Sequence, residues 1–138
     1  MLTLGLFAAK LLEQKGDAYY VENAKREFTQ AGYDNFKARP LNKLGFAFIN
    51  NNQLDRAVSI FIANTKMFPQ DPNTFDSLAN AYEKAKNKTN ALLNYKKALA
   101  LDPDFESAKE AVLRLQDKTS HPDYSHYLTS ISAFAVTF

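Results

Sequence analysis

The chain has 138 residues, 46% of them apolar and 23% charged, which suits one domain with a sizeable core and excludes general disorder. Its 17 Lys and Arg against 15 Asp and Glu give a net charge of +2, far short of the basic excess of a nucleic-acid binder, and no Arg-rich or aromatic-interleaved run compensates. There is no cysteine, so disulfides, a thiolate nucleophile and cysteine-based metal sites are excluded, and packing alone must hold the fold; that is compatible with a cytoplasmic location and equally with export, since cysteine is optional in both compartments.

Residues 1–12 are apolar, but no basic segment precedes them and Lys10 and Glu13 interrupt the run. This predicts an N-terminal packing helix rather than a signal peptide or a membrane span. Leu4, Ala8, Leu11 and Leu12 follow the helical period and form its inner stripe, and Gly16-Asp17 ends it. A second helix is expected from about Ala18 to Ala31, with Val21, Ala24, Phe28 and Ala31 on one side and Lys25, Arg26 and Glu27 outward. Gly32 stops it, Tyr33-Asp34-Asn35-Phe36 forms an aromatic loop, and Pro40 reopens helix within its first turn.

From Ala38 to Phe105 the chain consists of two consecutive 34-residue copies of one pattern. Leu41, Leu44, Gly45, Phe48, Ala57, Phe61, Thr65 and Pro69 are followed, 34 places on, by Phe75, Leu78, Ala79, Tyr82, Ala91, Tyr95, Leu99 and Pro103. Within each first helix these positions put one small and three bulky residues on one face. In each second helix an alanine lets the helix axes approach, and the ring four residues later fills the space beside it. Each proline lies where a helix must stop, because it has no N–H to donate. Ala24, Phe28 and Ala31 sit 33 residues before Ala57, Phe61 and Asn64, which predicts a degenerate repeat over 4–37 ahead of repeats 38–71 and 72–105. Phe105, Ala108, Val112 and Leu115 continue the helical step and predict a closing helix over 105–117, capped by Asp102 or Asp104, so that the helical domain spans 1–118. Thr119-Ser120-His121-Pro122-Asp123 then breaks the pattern. The tail, 119–138, is apolar and ambiguous in period: a segment packed on its own solenoid, a free end and an edge that meets a partner all remain open.

The two copies resemble the tetratricopeptide repeat, most closely in Phe75 to Tyr82 and in Ala91 to Pro103. Two departures stand out: Asn64 occupies the place of an alanine (Ala98 in the second copy), and the family's turn glycine is replaced by Asn52 and Lys86. Because asparagine adopts left-handed backbone angles at modest cost, a tight turn is expected at Asn51-Asn52 and a slightly irregular one at Lys86-Asn87. The resemblance implies an all-α, right-handed helical solenoid of about seven helices plus a C-terminal tail. Leu41 to Phe46, Ala57 to Asn64, Phe68-Pro69 and Ser77 to Tyr82 are also similar to the accessory repeat region at the C-terminus of some beta-lactamase-like serine hydrolases. That similarity carries no active site, since no serine here is followed three residues later by lysine.

No Gly-rich phosphate loop, HExxH or GxSxG occurs, and His121 and His126 lack the further donors a metal needs. No enzyme activity, metal or cofactor is therefore expected. Tetratricopeptide proteins commonly bind a peptide in the groove lined by the first helix of each pair, which here implies Asn42, Phe46, Ile49 and Asn50, then Asp76, Asn80, Glu83 and Lys84, then Glu110. Simple packing residues of a short solenoid would occupy the same places. The family's basic clamp for a C-terminal carboxylate is absent, its places holding Asn42, Phe46, Ser77, Ser107 and Ala111. The expected role is that of a protein-interaction adaptor with a peptide or protein partner, neither nucleic acid nor membrane. The alternative is a structural or self-assembly module, a weak homodimer joined through end helices or the apolar tail.

Overall fold

A computed structural model describes residues 1–116; the expected tail and the last residue of the expected closing helix lie outside them. Among the described residues there are seven helices and no strand: α1 Leu4–Lys15, α2 Asp17–Gln30, α3 Ala38–Asn50, α4 Leu54–Met67, α5 Pro72–Lys84, α6 Lys88–Leu101 and α7 Glu106–Gln116. The described residues form an all-α tetratricopeptide-like solenoid in which α1 packs on α2, α3 on α4 and α5 on α6, with α7 laid against α6. Neighbouring pairs meet through α3, which touches both α1 and α5, and through α4, which touches α2 and α5.

Helix boundaries follow local chemistry. Thr3 Oγ1 accepts from the Leu6 N–H, Asp71 Oδ1 from Asn73 and Asn87 Oδ1 from Asn90, capping α1, α5 and α6 in turn. Pro72 opens α5 where a missing N–H is harmless. Gly16, at φ +89, joins α1 directly to α2. The Asp102 carboxylate accepts from the Asp104 N–H at 3.0 Å and shapes the turn into α7.

The turns after α3 and α5 differ from expectation in one respect. After α3, the Asn52 and Gln53 N–H groups donate to the carbonyls of Ile49 and Phe48 at 2.9 and 2.8 Å. After α5, Lys86 and Asn87 donate to Glu83 and Tyr82 at 3.0 and 2.8 Å. Both are the same two-bond helix stop, with Asn52 at φ +59 and Lys86 at φ +64. The Lys86 turn is therefore regular in shape: the hydrogen bonds hold a lysine in a conformation that costs an L side chain about 1–2 kcal/mol.

The core forms three contiguous clusters. The first joins α1 to α4 around Leu12, Tyr20, Phe28, Leu41 and Ile60. Its aromatic rings contact in series: Phe28 lies 6.1 Å from Phe7 and from Tyr20, and 5.2 Å from Phe36, which in turn packs on Phe68 at 5.9 Å. The loop after α2 is thus anchored by Phe36. The second cluster joins α4 to α5 through Ala57, Phe61, Leu78 and Ala81, with Phe48 and Ile49 of α3 packed against it. The third joins α5, α6 and α7 through Ala79, Ala91, Tyr95, Ala98, Ala108 and Ala111. Equivalent positions play equivalent parts, since Gly45 and Ala79, Ala57 and Ala91, and Phe61 and Tyr95 are all buried. The earlier Ala24 and Phe28 are buried in the same way, whereas Ala31 caps α2 and is only half-buried.

Candidate functional site

The residues expected along the inner face separate into three groups. Asn42 and Ile49 turn inward. Asn42 is buried, and its Nδ2 donates to Ser77 Oγ at 3.1 Å while its Oδ1 accepts from Asn64 Nδ2 at 3.3 Å. Ile49 packs in the cluster around Phe61. Asn64, out of place for a generic repeat, thus anchors a buried polar chain that ties α4 to α3 and α3 to α5.

Asp76 stands one repeat after Asn42, and the contrast explains its condition. The positions one repeat after Asn64 and Ser77 hold Ala98 and Ala111, so both partners of the earlier amide are missing. Asp76 Oδ2 accepts from Ser107 Oγ at 3.0 Å, but Oδ1 is buried without a partner among the described residues. Burial accordingly raises the Asp76 pKa above its ordinary 3.8, and the Ser107 bond only partly opposes the shift. The stability this group contributes is present below the ordinary carboxylate range and is lost as pH rises through the raised value. Asp76→Asn is therefore expected to raise the melting temperature at neutral pH by a few degrees, an advantage that shrinks as the buffer is acidified. Parallel thermal melts of the two proteins across the acid range check it.

Glu83 is held in the opposite sense. Arg114 grips its carboxylate with two N–H groups, Nη2 donating to Oε1 at 3.1 Å, and the Tyr95 hydroxyl donates to Oε1 at 3.0 Å. The Arg114 bonds, ahead of all other causes, hold the Glu83 pKa below its ordinary 4.5 despite partial burial. This contact links α5 to α6 and α7. Neither Arg114 nor the Tyr95 hydroxyl figures among the residues expected from sequence, although a signal was there. Between the two copies Phe61 becomes Tyr95 and Ile49 becomes Glu83, a paired change that puts a hydroxyl and a carboxylate where two apolar groups had been.

Phe46, Asn50, Asn80, Lys84 and Glu110 remain at the surface or half-buried. The Phe46 ring is 37% exposed and rests edge-on against Phe61, with centroids 5.1 Å apart. Asn80, Glu83, Lys84, Lys86 and Arg114 line a cleft of about 350 Å³. An adjoining cleft of about 260 Å³ is lined by Glu83, Lys86, Lys88 and Leu115. A larger hollow, about 540 Å³, lies elsewhere, between Asp17 and the Asn52–Arg56 turn. Its one ion pair, Arg56 Nε to Asp17 Oδ1 at 3.9 Å, is long and solvated, and nothing there suits chemistry.

Of the carboxylate-clamp places, Asn42 and Ser77 bond to each other and Ser107 serves Asp76. Among the described residues no group of three or more His, Cys, Asp or Glu side chains is placed to hold a metal ion. No described helix is long and apolar enough to cross a membrane.

No family model matches the chain. Over 87 residues, 63% of its length, it is 29% identical to the tetratricopeptide repeat domain-containing protein PYG7, chloroplastic, of Arabidopsis thaliana, and the match takes in 29% of that protein. Among solved structures, 97% of the chain aligns with 93% of a chain described as MamA RS-1 ArsTM double mutant, at 15% identity and a TM-score of 0.39. The similarity to the hydrolase accessory region finds no support in the plant relative. The 34-residue period and the paired helices, together with the similarity to the plant protein over part of its length, make this chain a tetratricopeptide-like helical repeat protein.

Proposed function

We propose that the protein is an adaptor that binds a peptide or protein segment along the face formed by α3, α5 and α7. The repeat architecture is that of a non-catalytic scaffold, with backbone N–H groups consumed inside helices. The observation that carries the proposal is Phe46, a large apolar ring left more than one-third exposed on the first helix of its pair, above the buried Phe61. Asn80 and the cleft between α5 and α7 lie one repeat further along the same series of helices. An aromatic anchor with the Asn80 amide one repeat further along suits a chain segment whose backbone needs hydrogen-bond partners and whose side chains include apolar ones.

Binding of short peptides that carry apolar residues, followed by fluorescence anisotropy, tests the assignment. Phe46→Ala is expected to weaken binding about tenfold or more, as truncation of a central aromatic contact does, and Asn80→Ala by a smaller factor. Both variants should keep their helical circular dichroism, because neither side chain is fully buried. Unchanged affinity in both variants would remove the face from consideration. Peptide-independent dimerisation in analytical ultracentrifugation would favour the self-assembly module instead.

A further inference from the structure

We propose that the end of this face formed by the α5–α6 turn and α7 selects an acidic segment of the bound peptide, with Lys86 and Lys88 as the residues that read its charge. The inference rests on the adaptor assignment and names the chemistry of its ligand. The two adjoining clefts share Glu83 and Lys86, and together they present Lys84, Lys86, Lys88 and Arg114 against the single carboxylate of Glu83. That carboxylate is occupied by Arg114 and by the Tyr95 hydroxyl. Among the described residues none of the three lysines is within ion-pair distance of a carboxylate. The local field is therefore positive and open to solvent, although the chain as a whole is close to neutral.

Two independent features show that these cations are placed against local preference. Lys86 sits at φ +64, where glycine is strain-free and the equivalent turn uses Asn52. Helix-dipole complementarity does not explain it, because Lys84 already supplies a cation in the last turn of α5 with ordinary helical backbone. Lys88 is the first residue of α6, whose first turn holds no acidic side chain. A cation there faces the positive end of the helix dipole, where Asp or Glu would be favoured. Local rules are broken twice within three residues, on the rim of the same two clefts, and such coincident violations mark places where binding outweighs local stability. Asn80 and the exposed guanidinium of Arg114 add neutral and charged donors suited to carboxylate oxygens.

The test uses the full chain and three fluorescein-labelled peptides of equal length with the same apolar residues, one interspersed with Glu, one with Ser and one with Lys. The acidic peptide is expected to bind most tightly, with its advantage over the Ser peptide shrinking as salt is raised. Lys86→Gly and Lys88→Glu are each expected to weaken acidic-peptide binding about two- to five-fold, and a Lys84→Gln/Lys86→Gly/Lys88→Gln triple variant about tenfold or more. Both single variants should melt at or above the temperature of the parent, since each removes a local conflict, so that a loss of affinity cannot be blamed on unfolding. Equal affinity for the acidic and Ser peptides, or acidic binding unchanged in both single variants, overturns the charge assignment. If the Ser peptide then still binds and is lost in Phe46→Ala, the adaptor face stands without it; if no peptide binds at all, both fail. Displacement of the acidic peptide by an equimolar single-stranded oligonucleotide overturns the peptide in favour of a phosphate ligand.

Discussion

Phe28→Ala is expected to lower the free energy of unfolding by about 3–5 kcal/mol, the range for truncating a fully buried phenylalanine. The ring is completely buried in α2 and makes edge contacts with Phe7, Tyr20 and Phe36. Removing it takes one partner from each of three neighbours and unseats Phe36, which links the loop after α2 to Phe68 at the end of α4. A domain of this size has only about 5–15 kcal/mol in total, so the first helix pair should lose much of its cooperative stability. Urea unfolding followed by circular dichroism measures the effect: the midpoint should fall sharply. A loss below about 1 kcal/mol would mean that α1 and α2 do not pack as described.

Gly45→Ala is the second large effect, and its sign is the informative part. Glycine within a helix ordinarily costs about 1 kcal/mol relative to alanine, so propensity alone predicts stabilisation. Here an added Cβ would stand 2.4 Å from Phe61 Cζ and 2.5 Å from Cε1. Phe61 is fully buried and already in contact with Phe46, so the ring has little room to retreat. Overpacking of about 1–3 kcal/mol should exceed the propensity gain and leave a net loss of up to about 2 kcal/mol. Combining Gly45→Ala with Phe61→Leu should cost less than the sum of the single changes, since the smaller side chain relieves the contact. Simple additivity in that double-mutant cycle would show that the two residues do not meet.

The helices and their pairing were legible because the pattern repeats: one register supplies both the apolar faces and the prolines that end them. Gly45 and Ala79 could be assigned to the helix contact from the sequence because only small residues fit between a helix and a ring. The backbone of Lys86 was harder to anticipate. The hydrogen bonds from Lys86 and Asn87 to the end of α5 dictate the turn, and they overrule the reluctance of a lysine to adopt it. The polar contacts were least legible, because they depend on pairs far apart in sequence, such as Asn42 with Ser77, Asp76 with Ser107 and Glu83 with Arg114. Periodicity says which face such residues share. It does not say which of them spend their hydrogen bonds on one another and which stay free for a ligand.

The most direct test of the adaptor assignment is an NMR titration of the isotope-labelled protein with the acidic, apolar-containing peptide, reading the backbone amides residue by residue. Perturbations concentrated at Phe46–Asn50 on α3, from Asn80 through Lys88, and around Arg114 on α7 are the predicted result. Perturbations confined to the outward faces of α2, α4 and α6, or to none of these helices, would contradict it.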